Sequence, residues 1–248
     1  MENNQNMEMP RYGENNLDTH EYSNKKLSGL PESYKCMMLN LVSEQVKKSG
    51  GIFIDIGGGK GELAKQIEEN TGIKSIAVDY SSVGLMENNS AGVVGKASVL
   101  PIVKEIAGIL HIKDVIEHFN DRHFVLFINE AKRLLVKEGQ LVITEKDYFP
   151  STQKPWVSVF LNGTKLDNRE PISFTEEYPE IVTRLKHKYT EEVKAGILYY
   201  PRSKEKIISE LSKMGFKHVE TTKWKPNVNE PDWFGARISR NVMTFSVG

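Results

Sequence analysis

The chain has 248 residues, and its 33 Lys and Arg side chains balance 33 Asp and Glu side chains. This neutral charge argues against a protein whose main task is to wrap nucleic acid, because phosphate binding requires an excess of basic residues. Cys36 is the only cysteine, which excludes disulfides within the chain and cysteine-rich zinc or iron–sulfur sites. No apolar stretch approaches the roughly 20 residues of a membrane helix, and the first residues lack the apolar core of a secretory signal. We therefore expect a soluble, cytoplasmic globular protein.

The N-terminal residues 1–27 are rich in Asn and Glu and show no sustained periodicity, which predicts a mobile arm. We expect residues 28–248 to form a single domain. Pro31 suits the first turn of a helix, and the apolar residues that follow recur at helical spacing until Gly50 and Gly51 end the pattern. The first helix is therefore predicted between Pro31 and Gly50.

Short apolar runs alternate with helical patterns through the middle of the chain. The runs contain mostly β-branched and aromatic residues, and amphipathic helices are predicted between them. Strands that are buried on both faces belong to parallel sheets with helices on both sides. We therefore predict a doubly wound α/β fold with a seven-stranded, mostly parallel sheet, whose strands include residues 51–56, 76–79, 93–94, 108–112, 141–143, 218–224 and 241–247.

The strand–helix alternation is interrupted after the fifth predicted strand. Seven of the ten prolines lie beyond this point, so short segments with many turns are predicted, apart from helices within 176–193 and at 203–214. Residues 148–200 are interpreted as an insertion in the single domain. The insertion either only adds packing or forms a lid over the carboxyl ends of the strands, where open α/β sheets bind ligands. Its aromatic residues favour the lid.

A glycine-rich turn, written Asp55-Ile56-Gly57-Gly58-Gly59-Lys60-Gly61-Glu62, separates the first strand of the sheet from the next helix. Glycines permit a tight turn whose backbone N–H groups reach a ligand beside a helix N-terminus. A dinucleotide fingerprint would need glycine in place of Glu62, and a Walker A motif would need Ser or Thr after Lys60. Asp79 closes the second strand, where a carboxylate accepts both hydroxyl groups of a ribose. An adenosine with an amino-acid tail suits this turn, because its ammonium favours a nearby carboxylate.

These residues resemble those of the class I S-adenosylmethionine-dependent methyltransferases. The resemblance spans residues 50–147, with weaker support to residue 248, and the motifs that carry it are IFIDIGGGKGELAKQI, AVDYS, GKASVLP, DVIEHFND and AKRLLVKEGQLVITEKD. Several motifs in the family's order are more specific than the glycine turn alone. The resemblance implies an enzyme that uses S-adenosylmethionine, releases S-adenosylhomocysteine, and has an antiparallel last strand.

The resemblance also implies roles for individual residues. Asp55 would act at the methionine ammonium, Asp79 at the ribose hydroxyl groups and Tyr80 against the adenine. Gly95-Lys96-Ala97 stands where the family often has Gly-Asp-Ala, so the contact of that Asp with the adenine amine comes from elsewhere or is absent. The residues expected to bind the cofactor are Asp55, Gly57, Gly58, Gly59, Gly61, Asp79, Tyr80, Ala97, Ser98 and Lys113.

Methyl transfer from a sulfonium is an in-line displacement, so the protein must hold the nucleophile about 3 Å from the methyl carbon and exclude water. A hydroxyl or ammonium acceptor also requires a base. The candidate catalytic residues are His118, in the Glu117-His118 pair after the fourth strand, and Glu145, at the end of the fifth. The alternatives are a structural role for the pair and a solvated charge run around Glu145. No metal is expected.

The insertion supplies aromatic residues and an arginine, which suit a small, partly apolar acceptor with an anionic group as well as they suit a packed lid core. The sequence Lys113-Asp114-Val115-Ile116 stands where amino-directed nucleic-acid methyltransferases have Asn/Asp-Pro-Pro-aromatic, so a small biosynthetic metabolite is favoured over nucleic acid. A methyltransferase acting on RNA or protein, a non-catalytic S-adenosylmethionine-binding protein and a nicotinamide-dependent oxidoreductase are the alternatives, and a homodimer is left open. The candidate acceptor-binding residues are Tyr148, Trp156, Tyr199, Tyr200 and Arg202.

Overall fold

A computed structural model describes residues 30–80, 82, 85, 91–147, 154–161, 164–189, 193–225 and 239–247. The predicted N-terminal arm and the start of the predicted insertion lie outside these residues. The described helices are α1 Glu32–Ser49, α2 Glu62–Thr71, α3 Asp121–Leu134, α4 Tyr178–Lys188 and α5 Lys204–Lys213, with a 3-10 turn at Ile116–His118. The strands are β1 Ile52–Ile56, β2 Ser75–Asp79, β3 Gly92–Val94, β4 Ala107–Lys113, β5 Leu135–Lys146, β6 Trp156–Leu161, β7 Thr164–Pro171, β8 Val193–Tyr199, β9 Phe216–Trp224 and β10 Arg240–Val247.

Seven strands form one sheet in the order β3-β2-β1-β4-β5-β10-β9. The strands β1 to β5 pair in parallel, and β10 lies antiparallel between β5 and β9. Parallel neighbours require crossover connections, which the intervening helices supply. The predicted seven-stranded, mostly parallel sheet with an antiparallel last strand is therefore confirmed.

Helices cover both faces of this sheet. Side chains alternate between the faces along each strand, so on β1 Phe53 packs with α1 and α2, whereas Ile54 packs with α3 and α5. Tyr34, Met38 and Val42 recur at intervals of four residues along α1 and are buried as one stripe. Apolar side chains thus cover the two faces of the sheet, and the polar residues described below lie at its carboxyl edge.

Between β5 and α5 the chain forms a second, antiparallel sheet in the order β7-β6-β8. The sequence predicted only short, turned segments and one helix here, so this sheet is a difference from the prediction. Its edge strand β7, Thr164–Pro171, has a polar sequence, as exposed edges often do, and therefore lacks the alternation that reveals a strand. Val157 and Val159 of β6 pack with Ile181 and Leu185 of α4, so the second sheet has a core of its own.

The end of this second sheet contacts the segment that follows β4. The Tyr200 N–H donates to the Glu117 carbonyl. The guanidinium of Arg202 donates to the carbonyl groups of Ile116 and Phe119 at 3.4 and 2.7 Å. The second sheet is therefore attached beside the carboxyl end of β4.

Candidate active site

The carboxyl ends of the parallel strands bring the main candidate residues to one edge of the sheet. Neighbouring parallel strands end on the same side, and open α/β sheets bind ligands outside these ends. Four different strands each contribute one candidate here, namely Asp55 of β1, Asp79 of β2, Lys113 of β4 and Glu145 of β5.

The glycine turn between β1 and α2 has a backbone that side chains would disturb. Gly57, Gly59 and Gly61 have φ angles of 72°, 55° and 75°, which lie in the left-handed region. A Cβ atom on Gly57 would lie 2.3 Å from Cγ2 of Val115, in the segment after β4. The Gly57 N–H donates to the Val78 carbonyl at 2.8 Å, which attaches the turn to β2. The glycines therefore keep the backbone open to a ligand at the strand ends.

Asp79 and the start of α2 fit the polar groups of S-adenosylmethionine, which are a ribose diol, an ammonium and a carboxylate. Oδ2 of Asp79 accepts the Gly59 N–H at 2.9 Å, so the carboxylate is held against the glycine turn. The residue before α2 is Gly61, and no side chain caps the first N–H groups of this helix. Uncapped N–H groups at a helix N-terminus favour an anionic group. Gly58 lies close to Asp55, since an added Cβ would be 2.9 Å from its Oδ2.

The predicted neighbours of the adenine gather around the end of β2. Tyr80 directly follows this strand and is half-buried. The Gly95 N–H donates to the Asp79 carbonyl at 3.0 Å, so the turn that carries Ala97 and Ser98 begins at the same place. Both residues of the turn are half-buried. Their contact with adenine stays a prediction.

A buried chain of hydrogen bonds connects Asp55 to helix α1, and sequence reasoning missed it. Oδ1 of Asp55 lies 2.7 Å from Nδ1 of His111 on β4. The hydroxyl of Tyr34 lies 2.8 Å from Nε2 of His111 and 2.8 Å from the Thr144 hydroxyl. All four residues are at most 5% exposed. Buried residues of β4, β5 and α1 thus hold the carboxylate that is assigned to the methionine ammonium.

Lys113 and Arg240 share one carboxylate at the end of β4. Lys113 forms an ion pair with Asp114, and Nε of Arg240 lies 3.1 Å from the same side chain. Burial alone would raise the pKa of Asp114, but the charges of Lys113 and Arg240 outweigh burial and hold this pKa well below its usual range. Arg240 begins β10 and is 1% exposed, and nothing in its sequence context distinguished it from a surface arginine.

The Glu117-His118 pair makes two separate contacts. Nζ of Lys146 lies 2.6 Å from Oε1 of Glu117, and both side chains are buried. Nδ1 of His118 lies 2.7 Å from the Leu198 carbonyl, which only accepts, so Nδ1 carries the proton of the neutral ring and Nε2 carries the lone pair. Burial lowers the pKa of His118, although the charge of Glu117 opposes this effect. The imidazole is therefore neutral near pH 7.

Glu145 is buried without a hydrogen bond. Glu145 is 3% exposed, and neither of its carboxyl oxygens has a hydrogen-bond partner within the described ranges. Burial raises the pKa of Glu145 well above its usual value, and the negative charges of Glu117 and Asp114 raise it further, against the opposing charges of Lys146 and Lys113. This carboxyl group therefore keeps its proton to higher pH than an exposed glutamate.

The second sheet brings two predicted acceptor-binding residues to His118. The rings of Trp156 and Tyr199 stack with centroids 4.8 Å apart and planes 15° from parallel. The Tyr199 ring also lies 5.0 Å from the His118 ring. The guanidinium of Arg169 lies 4.8 Å from the centre of the Trp156 ring, on the side of the second sheet. These contacts form an aromatic group next to the candidate base.

The other predicted acceptor-binding residues have different surroundings. The Tyr200 hydroxyl donates to the Glu176 carbonyl at 3.0 Å. The Arg202 guanidinium is buried and binds Asp121 at 2.8 Å, besides the backbone carbonyl groups after β4. The Arg202 bonds attach the end of the insertion to α3 and to the segment after β4, whereas the Tyr200 bond lies within the insertion. Acceptor binding by Tyr200 and Arg202 stays a prediction. Tyr148 lies outside the described residues.

Charged groups in the described site pair mainly with one another, as Lys146 does with Glu117. Over the ranges that the structure describes, no group of three or more His, Cys, Asp or Glu side chains is placed to hold a metal ion. None of the described helices is both long and apolar enough to span a membrane.

One family model and several solved structures are similar to this chain. Residues 54–143 match the family model described as "Methyltransferase domain". No curated protein matches the chain. A crystal structure of an S-adenosylmethionine-dependent methyltransferase from Clostridium acetobutylicum is similar at 13% identity and a TM-score of 0.59, covering 94% of this chain and 98% of that chain.

Two further solved structures have the same architecture. One is an S-adenosylmethionine-dependent methyltransferase from Mesorhizobium loti, with 12% identity, a TM-score of 0.53, and coverage of 85% of this chain and 96% of that chain. The other is the glycopeptide N-methyltransferase MtfA in complex with S-adenosylhomocysteine, with 11% identity, a TM-score of 0.53, and coverage of 85% and 89%. At these identities the likeness shows the fold, whereas the family match indicates the enzyme class.

Proposed function

We propose that this chain, which carries a class I S-adenosylmethionine-dependent methyltransferase domain, transfers a methyl group to an oxygen or nitrogen atom of a small-molecule acceptor. The enzyme class and the cofactor follow from the family match and the fold. One observation supports the small acceptor, namely the stacked rings of Trp156 and Tyr199 beside His118. Aromatic side chains with one polar group suit a small, partly apolar ligand.

Cofactor binding is assigned to the residues at the ends of β1 and β2. Bound S-adenosylmethionine supplies the electrophilic methyl group, and the protein orients it. Asp79 accepts the ribose hydroxyl groups in this assignment, and Asp55 faces the ammonium. The N-terminus of α2, which follows Gly61, is assigned to the carboxylate. The support is that all three groups lie at one edge of the sheet.

Proton removal from the acceptor is assigned to His118 and Glu145. The neutral His118 ring has its lone pair on Nε2, because Nδ1 donates to the Leu198 carbonyl. A lone pair near pH 7 is what a general base requires. Glu145 is the second candidate, because its raised pKa makes its ionised form a stronger proton acceptor than an exposed glutamate.

Acceptor recognition is assigned to the insertion 148–200, acting as a lid. The support is the attachment of its second sheet to the 3-10 turn after β4, through the Tyr200 N–H and the Leu198 carbonyl. MtfA, one of the similar structures, is a glycopeptide N-methyltransferase, which favours nitrogen among the two acceptor atoms. A protein or RNA acceptor is the second candidate, and binding to RNA that weakens steeply with salt would favour it.

Calorimetric titration with S-adenosylmethionine and S-adenosylhomocysteine tests the cofactor site. We expect the Asp79→Ala variant to bind about tenfold or more weakly, since hydrogen bonds to a charged group contribute roughly 1.5–3 kcal/mol. Glu69→Ala, an exposed change on α2, is the control and should bind like the wild type. Equal affinity of Asp79→Ala and wild type would overturn the ribose assignment. Acceptors are then found from the mass gain of one methyl group, and light scattering tests the homodimer.

A further inference from the structure

We propose that the acceptor is an amine, whose ammonium group is bound by Glu145 and Glu117 at the carboxyl ends of β4 and β5. This inference rests on the proposed function and narrows its acceptor to one chemical class. It assigns to the two carboxyl groups the recognition of a cation as well as the uptake of its proton. The argument starts from polar atoms that the folded chain leaves unsatisfied.

Three carboxyl oxygens in this part of the site are buried without a hydrogen bond. They are both oxygens of Glu145 and Oε2 of Glu117, and each residue is 3% exposed. Buried polar groups are almost always hydrogen-bonded, because leaving them unpaired costs free energy. Two such groups that interact electrostatically at a ligand-binding edge therefore indicate a ligand that donates hydrogen bonds.

The cations of the described site do not neutralise Glu145. Arg240 and Lys113 both pair with Asp114, and Lys146 pairs with Oε1 of Glu117. No ion pair to Glu145 is formed within the described residues. The negative charges of Glu117 and Asp114 act on this carboxyl group more strongly than the opposing positive charges of Lys146 and Lys113. The local electrostatics therefore favour a positively charged ligand at Glu145.

The number of unsatisfied acceptors matches an ammonium group. A primary ammonium has three N–H donors and one positive charge, so it offers one donor for each unpaired oxygen. A hydroxyl group has one donor and would leave two oxygens unpaired. A carboxylate or phosphate acceptor would be repelled by Glu117 and Glu145. Amines are therefore favoured over alcohols and acids.

The same contacts prepare the amine for methyl transfer. An ammonium has no lone pair, so one proton must leave before the nitrogen reacts. The positive charge of the bound ammonium favours the ionised form of Glu145, whose own proton leaves to solvent when the amine binds. The resulting carboxylate then takes the ammonium proton and becomes neutral. The nitrogen lone pair then forms the bond to the methyl carbon while the carbon–sulfur bond breaks, and the bonding electrons stay on sulfur as S-adenosylhomocysteine is formed. The product is the methylated ammonium, and Glu145 later releases its proton to solvent.

The first experiment measures binding to the protein saturated with S-adenosylhomocysteine. The probes are 2-phenylethylamine, benzylamine and tyramine, each compared with the alcohol of the same carbon skeleton. We expect at least one amine to bind about tenfold or more tightly than its alcohol, because an unpaired buried charge is costly. Glu145→Gln should remove this preference, and Glu117→Gln should weaken it. Glu69→Gln, the same change at an exposed site, should keep it.

The second experiment measures methyl transfer to the amine that binds best. Glu145→Gln should lower kcat by about 100-fold, the lower end of the contribution of a general base. The KM for S-adenosylmethionine should change little, since Glu145 is assigned to the acceptor. Glu69→Gln should retain wild-type rates.

The outcomes separate this inference from the proposed function. A wild-type protein that does not bind S-adenosylhomocysteine contradicts the proposed function itself. Cofactor binding without a preference for any amine over its alcohol overturns the amine acceptor, and leaves the three oxygens to buried water. An amine preference that survives in Glu145→Gln overturns the role of that residue.

Discussion

The hydroxyl of Tyr34 on α1 lies 2.8 Å from Nε2 of His111 on β4, and both side chains are buried. The other ring nitrogen of His111 lies 2.7 Å from Asp55. An ionised carboxylate only accepts, so Nδ1 of His111 donates to Asp55 and Nε2 accepts the Tyr34 proton. The Thr144 hydroxyl then donates to Tyr34. Every donor in this series of hydrogen bonds points towards Asp55, the carboxylate assigned to the cofactor ammonium.

Tyr34→Phe should weaken cofactor binding, although Tyr34 itself is not placed at the ligand. The substitution removes the donor to Nε2 of His111, so the imidazole and Asp55 lose their fixed orientation. We expect about a fivefold to tenfold loss of affinity for S-adenosylhomocysteine, and a loss of about 1–3 kcal/mol of unfolding free energy for the unsatisfied buried nitrogen. Calorimetry and urea unfolding measure the two effects.

The control for this change is Tyr189→Phe, which removes a hydroxyl that donates to Glu170 in the insertion. This variant should bind the cofactor like the wild type. A Tyr34→Phe protein that is less stable but binds with unchanged affinity would mean that the hydrogen-bond chain supports only the fold.

Gly57→Ala should damage the cofactor turn in two ways. The φ angle of 72° is strained for alanine, and the new Cβ would lie 2.3 Å from Val115. Strain at such positions costs about 1–3 kcal/mol, to which the clash is added. Gly72→Ala is the control, because its φ angle is 70° and nothing lies within 4 Å of the new Cβ. Thermal unfolding and calorimetry should show the larger loss at Gly57.

A second change separates the clash from the strain. Combining Gly57→Ala with Val115→Ala removes the atom that the new methyl group meets. Partial recovery of cofactor affinity is expected. If the double variant binds no better than Gly57→Ala alone, steric contact with Val115 is not what restricts this position.

The burial of Glu145 should make stability depend on pH. Its pKa is raised in the folded protein, so folding holds a proton that the unfolded chain releases above about pH 4.3. The contribution of Glu145 to the free energy of unfolding is therefore fully present below that pH and falls as pH rises towards the folded pKa. The charges of Glu117 and Asp114 add to this loss, and the charges of Lys146 and Lys113 oppose it. Glu145→Gln lacks this proton and should lose less stability between pH 5 and pH 8.

Urea unfolding at both pH values measures this difference. Each kcal/mol regained at pH 8 should also raise the Tm by roughly 2–4 °C. If the free energy of unfolding depends on pH in the same way for wild type and Glu145→Gln, the pKa of Glu145 is not raised in the folded protein without ligand.

Arg202→Lys decides between two roles for this arginine. The planar guanidinium binds Asp121 at 2.8 Å and the Phe119 carbonyl at 2.7 Å, and an ammonium cannot keep both contacts. We expect a loss of about 1–3 kcal/mol of unfolding free energy, because buried carbonyl groups lose their donors, with unchanged affinity for S-adenosylhomocysteine. The exposed change Arg122→Lys is the control. Unchanged stability with a raised KM for the acceptor would instead support the predicted binding of an anionic acceptor group.

The main sheet was predictable because each of its strands can be recognised from its own local sequence. Ile52–Ile56 and Ala107–Lys113 are apolar over almost their whole length, as buried parallel strands must be. Strand ends then predict where polar residues meet, so Asp55 and Asp79 could be assigned to one edge from their position alone.

Contacts between distant parts of the chain were not predictable in this way. Tyr34 and Thr144 are 110 residues apart, and in the sequence Tyr34 is only one more large residue on an amphipathic helix. Arg240 pairs with Asp114 across 126 residues. The polar β7 strand could not be recognised from its own sequence, because the neighbouring strand β6 supplies apolar residues of the second sheet's core. Periodicity reports which face a residue occupies, but not which side chain it meets there.

Strand β4 lies between two sets of residues to which different roles are assigned. The residues assigned to the cofactor lie between 55 and 113, and those assigned to the acceptor lie between 117 and 202. On these assignments, we expect recombination after β4 to exchange acceptor specificity while leaving the nucleoside half intact. The hydrogen bond from Thr144 to Tyr34 crosses that boundary, so a functional chimera must keep a hydroxyl at position 144.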